Sequence, residues 1–202
     1  MPRSVSYEFE DILPTCQGLP GSLAPGSATA DPADGTLLIG PSRSLHYLLD
    51  TPLCNVVGLS CRLRIKYPAP TAGSSLRILQ LGDEFDLGLE PLTTGRAVVR
   101  VRLQQVRHDL GQLANPGTRF AELRFDWHTS GKTFLRVDGR LVGYHDTLGR
   151  GRRLTIEDVT FGAATSPLES PAQHYQLDEF SVRALLGRPH WPHRHRMVVH
   201  RP

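Results

Sequence analysis

Three groups of residues in this 202-residue chain are of types that could do chemistry. The first is the acidic run Asp83-Glu84-Phe85-Asp86-Leu87-Gly88-Leu89-Glu90. On a strand, Glu84, Asp86 and Glu90 share one face. A retaining glycosidase needs two carboxylates about 5–5.5 Å apart, one as nucleophile and one as acid/base. At about 3.4 Å per residue, Glu84 and Glu90 stand ~20 Å apart, while Glu84 and Asp86 stand ~7 Å apart, nearer the inverting range. Gly82-Asp83 reads as the hairpin turn before this strand, so a solvated strand face beside a turn is the competing reading. The second group is Tyr144-His145, which could serve as lyase-type proton-transfer groups, although no spacing demands it. The third is the tail RPHWPHRHRMVVH. There His190, His193 and His195 with Trp191 could ligate a transition metal or dock on a partner. Two prolines and the interleaved arginines speak against a preformed metal site, and Trp191 with Met197-Val198-Val199 offers apolar anchors for docking.

A glycan site needs a different set: an exposed aromatic ring for the apolar face of a sugar, with charged or amide groups converging on its hydroxyls. Aromatic residues make up 7% of the chain. Trp127 has the parity of a core residue. Phe134 has outward parity beside Arg136 and Asp138, and Tyr144 and His145 follow the Asp-Gly hairpin. Arg100 and Arg102 line another polar face with Gln104. The expected ligand-binding set is therefore Arg100, Arg102, Phe134, Arg136 and Tyr144.

Strands must position all of these. Period-two alternation recurs along the chain and no long period-3.6 segment appears. In Val57–Tyr67, Val57, Leu59, Cys61, Leu63, Ile65 and Tyr67 alternate with Gly58, Ser60, Arg62, Arg64 and Lys66. Ala121–Trp127 repeats the pattern, with Glu122, Arg124 and Asp126 outward. Phe85, Leu87 and Leu89 alternate with Asp86, Gly88 and Glu90; Val99, Val101 and Leu103 alternate with Arg100, Arg102 and Gln104. Further strands are expected at Ser4–Glu10, Thr36–Ile39, Ser44–Leu49, Leu76–Leu81, Thr133–Val137, Leu141–His145, Leu154–Phe161 and Leu177–Leu185. Asp138-Gly139 is a two-residue hairpin signal, because Asp and Gly tolerate the positive φ that such turns demand. Thr93-Thr94-Gly95, Asn115-Pro116-Gly117 and Thr129-Ser130-Gly131 mark other connections. Gln17–Gly35, Pro68–Ser75 and Thr165–Ala172 read as surface loops. The class expected is all-β, one antiparallel sandwich domain over residues 1–186, with a basic His/Arg/Pro-rich tail at 187–202.

Charge divides at the same boundary. Arg188, Arg194, Arg196 and Arg201 take four of the 23 basic residues and none of the 20 acids into the tail. The body keeps 19 basic against 20 acidic residues. The pI near 9.0 thus describes a neutral domain with a basic tail, which argues against a nucleic-acid-binding face. No apolar run nears the roughly 18 residues of a membrane span. The N-terminal MPRSVSYEFE lacks the pattern of a secretory signal. The expected location is therefore cytoplasmic for the sequence as written, and secreted if a leader has been removed. Three cysteines make no disulfide framework; Cys61 falls on the apolar side of its strand, and a Cys54–Cys61 bridge is a further reading. The motifs G-x-S-x-G, the P-loop and H-E-x-x-H are absent.

The order of elements in the last third carries a resemblance. FAELRFDWHTSGKTFLRVDGRLVG is a strand ending in Trp127, a Gly turn, a strand, the Asp138-Gly139 hairpin and a return strand. LTIEDVTFG, ending in Gly162, and YQLDEFSVRALL, with Asp178 and Glu179, follow. This resembles the laminin-G-like branch of the concanavalin A-like lectin/glucanase superfamily, closely over the last third and loosely elsewhere. The resemblance implies a jelly-roll sandwich of two antiparallel sheets. It implies members that range from glycan-binding and adhesion modules to glycosidases, lyases and structural spacers, so it sets candidates without choosing among them. Some members bind calcium. Asp178 shares parity with Phe180, Val182 and Ala184 and should point inward, where a carboxylate must be hydrogen-bonded, charge-paired or bound to metal; calcium at Asp178 is the cofactor reading. The function expected is a non-catalytic module recognising a glycan or a protein partner. The alternatives are a structural subunit of an oligomer or larger assembly docked through its tail, and a small polysaccharide-degrading enzyme using Glu84, Asp86 or Tyr144 with His145.

Overall fold

The computed structural model describes residues 2–8, 15–17, 21–24, 29–31, 36–39, 44–67, 76–92, 96–114, 119–162 and 175–187. The tail residues His190, Trp191, His193 and His195 lie outside these, as do the Thr93-Thr94-Gly95 and Asn115-Pro116-Gly117 connections.

Fifteen strands and no helix make up the described chain: β1 (Pro2–Glu8), β2 (Thr15–Gln17), β3 (Gly21–Ala24), β4 (Thr29–Asp31), β5 (Thr36–Ile39), β6 (Leu45–Lys66), β7 (Leu76–Leu81), β8 (Phe85–Pro91), β9 (Arg96–Leu103), β10 (Val106–Ala114), β11 (Ala121–His128), β12 (Thr133–Val137), β13 (Arg140–His145), β14 (Leu154–Phe161) and β15 (Tyr175–Leu186). Every pairing is antiparallel, and the main order is β10-β9-β8-β7-β14-β6-β11-β12-β13. β15 adds to β6 and carries β1 and β5. This is an all-β jelly-roll sandwich.

β6 links its two layers. The sequence predicts two strands, Ser44–Leu49 and Val57–Tyr67; they are one strand of 22 residues. Its first half pairs with β3 and β14, its second with β11 and β15. The partners change near Asn55, whose φ of 62° bends the chain where the β14 and β15 registers slip. Val56 fills the core at this bend, and Val57, expected to point inward, is only half-buried. The same strand disposes of the Cys54–Cys61 bridge. Seven residues along an extended chain separate two Cα atoms by on the order of 20 Å, and a disulfide needs about 4.4–6.8 Å. Both thiols are free; Cys54 is exposed and Cys61 is a core residue whose thiol burial pushes up, with Asp126 adding to it.

The alternating residues of both layers meet in one core. Phe85 of β8 packs on Phe125 of β11 at 5.2 Å between ring centres, and Phe161 of β14 on Phe180 of β15 at 4.4 Å, edge to face. Two of its polar groups donate to nearby carbonyls. Trp127 Nε1 donates to Leu148 O at 2.9 Å. Tyr175 Oη donates to Ile78 O at 2.7 Å, where the β7–β8 register slips between Arg77 and Leu79 and frees that carbonyl from the ladder.

β10 is a strand that the sequence does not announce. It follows β9 through Gln104-Gln105, with φ of 46° and 71°, the geometry of a type I′ hairpin without its usual Asn or Gly. Glu84 holds this turn: its carbonyl accepts Gln104 N at 2.7 Å and its carboxylate accepts Gln104 Nε2 at 3.1 Å. A register slip between Asp109 and Gly111 then breaks the alternation of β10, so that Leu110 and Leu113 are buried. The Asp138-Gly139 hairpin has positive φ at both residues, 48° and 77°, as its sequence demands.

Candidate functional site

The acids of the first group are fixed in place. Glu84 is not on the strand face of Asp86 and Glu90 but in the turn ahead of it, because its carboxylate accepts Thr155 N at 2.7 Å as well as the Gln104 amide. Asp86 stands directly across from Arg102 and pairs with it. Glu90 and Asp109 both pair with Arg100, Asp109 at 2.6 Å. The Asp109 hydrogen bond leads in holding the Arg100 guanidinium still more firmly protonated. Glu84, Asp86 and Glu90 are each engaged by a cation or an amide.

Tyr144 and His145 are adjacent on β13 and therefore point to opposite faces. Tyr144 is 50% exposed on the outer surface. The His145 ring meets His108 of β10 edge to face, 5.6 Å between centres. The two are not brought to one reacting atom.

Asp178 also departs from its expected place. Between Leu177 and Glu179 the β15–β6 register shifts, and this extra residue turns Asp178 out of the inward row. Phe180, Val182 and Ala184 fill the core, while Asp178 is half-exposed and pairs with Arg64. Among the described residues no group of three or more His, Cys, Asp or Glu is placed to hold a metal ion.

The ligand-binding set divides in two. Arg100 and Arg102 belong to the acid–arginine surface of β8, β9 and β10. Phe134, Arg136 and Tyr144 come together on the other layer. β12 and β13 pair Phe134 with Tyr144, so both rings project from the same outer face. Their centres are 5.2 Å apart at 44°, and the Arg136 guanidinium lies 5.3 Å from the Phe134 centroid. β11 sets Asp126 opposite Phe134, and β6 sets Ser60 opposite Asp126. The Asp126 carboxylate accepts from Ser60 Oγ at 2.6 Å, from Arg136 Nη1 at 3.0 Å and from Arg124 Nε at 3.1 Å. The result is a flat row of two rings, two guanidiniums and one carboxylate on a rigid four-strand ladder. Asp126, Arg124 and Ser60 were legible only as outward residues; their place beside the rings follows from the register.

A second feature lies at the end of the same hairpin. An open pocket of about 460 Å³ is lined by Tyr67, Leu113, Ala114, Arg119, Ala121, Val137, Asp138, Arg140 and Val142. Tyr67 Oη donates to Ala114 O at 3.2 Å. Asp138 accepts Glu122 N at 2.9 Å on one oxygen and faces Arg119 at 3.3 Å with the other. The sequence reading takes Tyr67 only as the last inward residue of its strand and Asp138 as a neighbour of Phe134 and Arg136, and it singles out neither Arg119 nor Arg140 for binding.

The comparisons with known proteins bear on the fold. No family model matches the chain, and no curated protein matches it. Solved structures do match. The binding domain of botulinum neurotoxin DC, solved in complex with rat synaptotagmin II, superposes with a TM-score of 0.67 at 10% identity, over 88% of this chain and 47% of that one. The binding domain of botulinum neurotoxin serotype D gives 0.70 at 10% identity, over 89% and 48%. A structure of botulinum neurotoxin type C, whose way into cells depends on interaction with two ganglioside molecules, gives 0.68 at 10% identity, over 89% and 47%. The chain thus spans about half the length of these structures. At such identity the likeness carries the jelly roll and not the side chains of any site.

Proposed function

We propose that this chain is a non-catalytic recognition module whose ligand is a saccharide, built on a jelly roll of the laminin-G-like type. The observation that carries the reading is the pairing of half-buried Phe134 with exposed Tyr144 beside Arg136 and Asp126. Two rings on a rigid sheet offer a stacking surface for the apolar face of a sugar at low entropic cost, and the neighbouring guanidiniums and carboxylate can bind its hydroxyls. The acids that an enzyme of this architecture would use are all engaged elsewhere. The neurotoxin structures, about half of whose length this chain matches, include one in complex with synaptotagmin II and one of a toxin that interacts with gangliosides, which agrees with the reading. A protein partner on the same surface is the second reading, because exposed Tyr flanked by Arg is also the composition of an interface hot spot.

Retention on immobilised polysaccharides, with product release followed in parallel, tests the proposal. Specific retention without release is expected, and Tyr144→Ala should abolish it while leaving the fold intact. Release of sugar would overturn the non-catalytic reading. Retention that survives Tyr144→Ala would overturn the assignment of the surface. If no polysaccharide is retained, the saccharide reading fails and the protein reading takes its place.

A further inference from the structure

We propose that the pocket under the β12–β13 hairpin is a second ligand site, taking a single acidic sugar unit through Arg140. The inference rests on the saccharide reading above but uses different residues.

The pocket exists because two strand edges part there. β10 and β13 run antiparallel side by side. Their rings touch at His108 and His145, and their backbones touch at Gly111 and Gly143. Beyond the glycines, towards Leu113 and Ala114 on one strand and Arg140 on the other, the edges separate and the space between the layers opens. Leu113, Val137 and Val142 give it an apolar wall. Tyr67, Arg119, Asp138 and Arg140 give it polar groups.

The inventory of these groups selects the ligand. Tyr67 spends its proton on Ala114 O and keeps lone pairs that can accept from a hydroxyl. Burial, with the Asp138 charge adding to it, pushes the phenol up, so it stays protonated and holds that bond. Asp138 can accept further hydroxyl protons beside its contact with Arg119. Arg140 shares with Arg96, Arg107 and Arg183 the lack of a carboxylate partner among the described residues, and of these four it is the one that lines the pocket. Arg62, Arg64, Arg100, Arg102, Arg124 and Arg136 each pair with a carboxylate. Arg140 makes no hydrogen bond or ion pair with any described residue, and it is exposed at the mouth of the pocket. Two guanidiniums against one carboxylate leave the pocket one positive charge in excess. A ligand that matches it has an apolar face, hydroxyls and one anionic group. A uronate or a sulfated sugar fits that description, and a neutral sugar leaves Arg140 unmatched. The volume lies within the roughly 300–1,000 Å³ of small-ligand sites.

The experiment measures binding of three small probes by ligand-observed NMR and calorimetry: methyl β-glucuronide, its neutral counterpart methyl β-glucoside, and glucose 6-sulfate. It uses the full chain and the variants Arg140→Ala, Arg140→Lys and Tyr144→Ala. A charge-assisted bond to Arg140 should make the glucuronide bind at least about tenfold more tightly than the glucoside. Arg140→Ala should remove that preference and Arg140→Lys should restore part of it. Tyr144→Ala should leave the preference unchanged. Glucose 6-sulfate separates two anion chemistries within the proposal. Binding equal to the glucuronide means that charge is read, and weaker binding means that the planar carboxylate is read. Equal affinity for glucuronide and glucoside, or a preference that survives Arg140→Ala, overturns the pocket. The two failures stay distinct: loss of the Tyr144 effect on polysaccharide retention strikes the surface, and loss of the Arg140 effect on acid preference strikes the pocket. Arg140 is exposed at a hairpin end, so its variants should keep the parent melting temperature, which is the control for folding.

Discussion

On β8, β9 and β10, Asp86 stands across from Arg102 and Asp109 from Arg100, and each acid pairs with the arginine it faces. On β12 and β13, two aromatic rings pair on the outer face with a guanidinium over one of them. Both surfaces are outward faces of strands with the same alternation, and both carry residue types found in sugar-binding sites. What separates them is the partner that the register supplies. Asp86 meets Arg102 and Asp109 meets Arg100, so those charges are neutralised before any ligand arrives. The tie of Asp126 to Ser60, Arg124 and Arg136 leaves the Tyr144 ring exposed, so that surface keeps its capacity to bind. A charged face is therefore a poor marker of function until its cross-strand neighbours are known.

The largest expected effect breaks the seam that joins the two regions. A Cβ on Gly143 would stand 2.0 Å from Leu110 O, and one on Gly111 would stand 2.5 Å from Val142 O. Both obstacles are backbone, so the strands must separate. Gly143→Ala should cost about 2–4 kcal/mol in urea unfolding, and it should weaken binding through the adjacent Tyr144. Gly139→Ala is the contrast. Nothing stands within 4 Å of its Cβ and only the φ of 77° resists, so the cost should be about 1–2 kcal/mol with binding unchanged. Equal losses in the two variants would mean that the seam is not a close contact.

The next effect separates the two surfaces directly. Asp86→Asn leaves Arg102, whose side chain is 21% exposed, without its charged partner. The expected cost is about 1–2 kcal/mol of stability, with no change in polysaccharide retention. Phe134→Ala should do the reverse, with about 0.5–1.5 kcal/mol from the lost ring pair and loss of retention. If Asp86→Asn lowers retention as much as Phe134→Ala does, the acid–arginine surface is part of the site and the distinction falls.

How much of this was legible follows from where alternation holds. β11 and β12 keep period two as far as Arg136, and the hairpin closes on Asp138-Gly139, so the face of Phe134 and Arg136 could be read from the sequence despite the register slip on β13. Alternation fails at bulges, and each failure hid something. The slip at Asp178 turned an expected inward carboxylate outward to Arg64. The slip at Leu110 concealed β10, and Gln104-Gln105 gave no turn signal because Glu84, a distant acid, supplies what Asn-Gly would otherwise supply. The pocket was hidden for another reason. Tyr67, Arg119, Asp138 and Arg140 come from three separate stretches, and only pairing of β11 with β6 and β12 brings them together.

The smallest effect concerns the ring contact at the other end of the seam. His108 is held below the ordinary histidine range, first by burial and then by the neighbouring His145, against the opposing pull of Asp109. In the unfolded chain it titrates near 6.5. The unfolded state therefore takes up a proton at a pH where the folded state does not, and stability must fall as the pH drops through that value. At neutral pH the contribution is fully present, and acidification removes it progressively down to the lower folded value. His108→Gln should flatten this part of the pH–stability profile while leaving the neutral-pH midpoint of urea unfolding nearly unchanged. Tyr144→Ala, on the face of β13 opposite to His145, should leave the slope intact. A profile as steep in His108→Gln as in the parent would place the titrating group elsewhere, and the seam would then join the two layers by backbone contact alone.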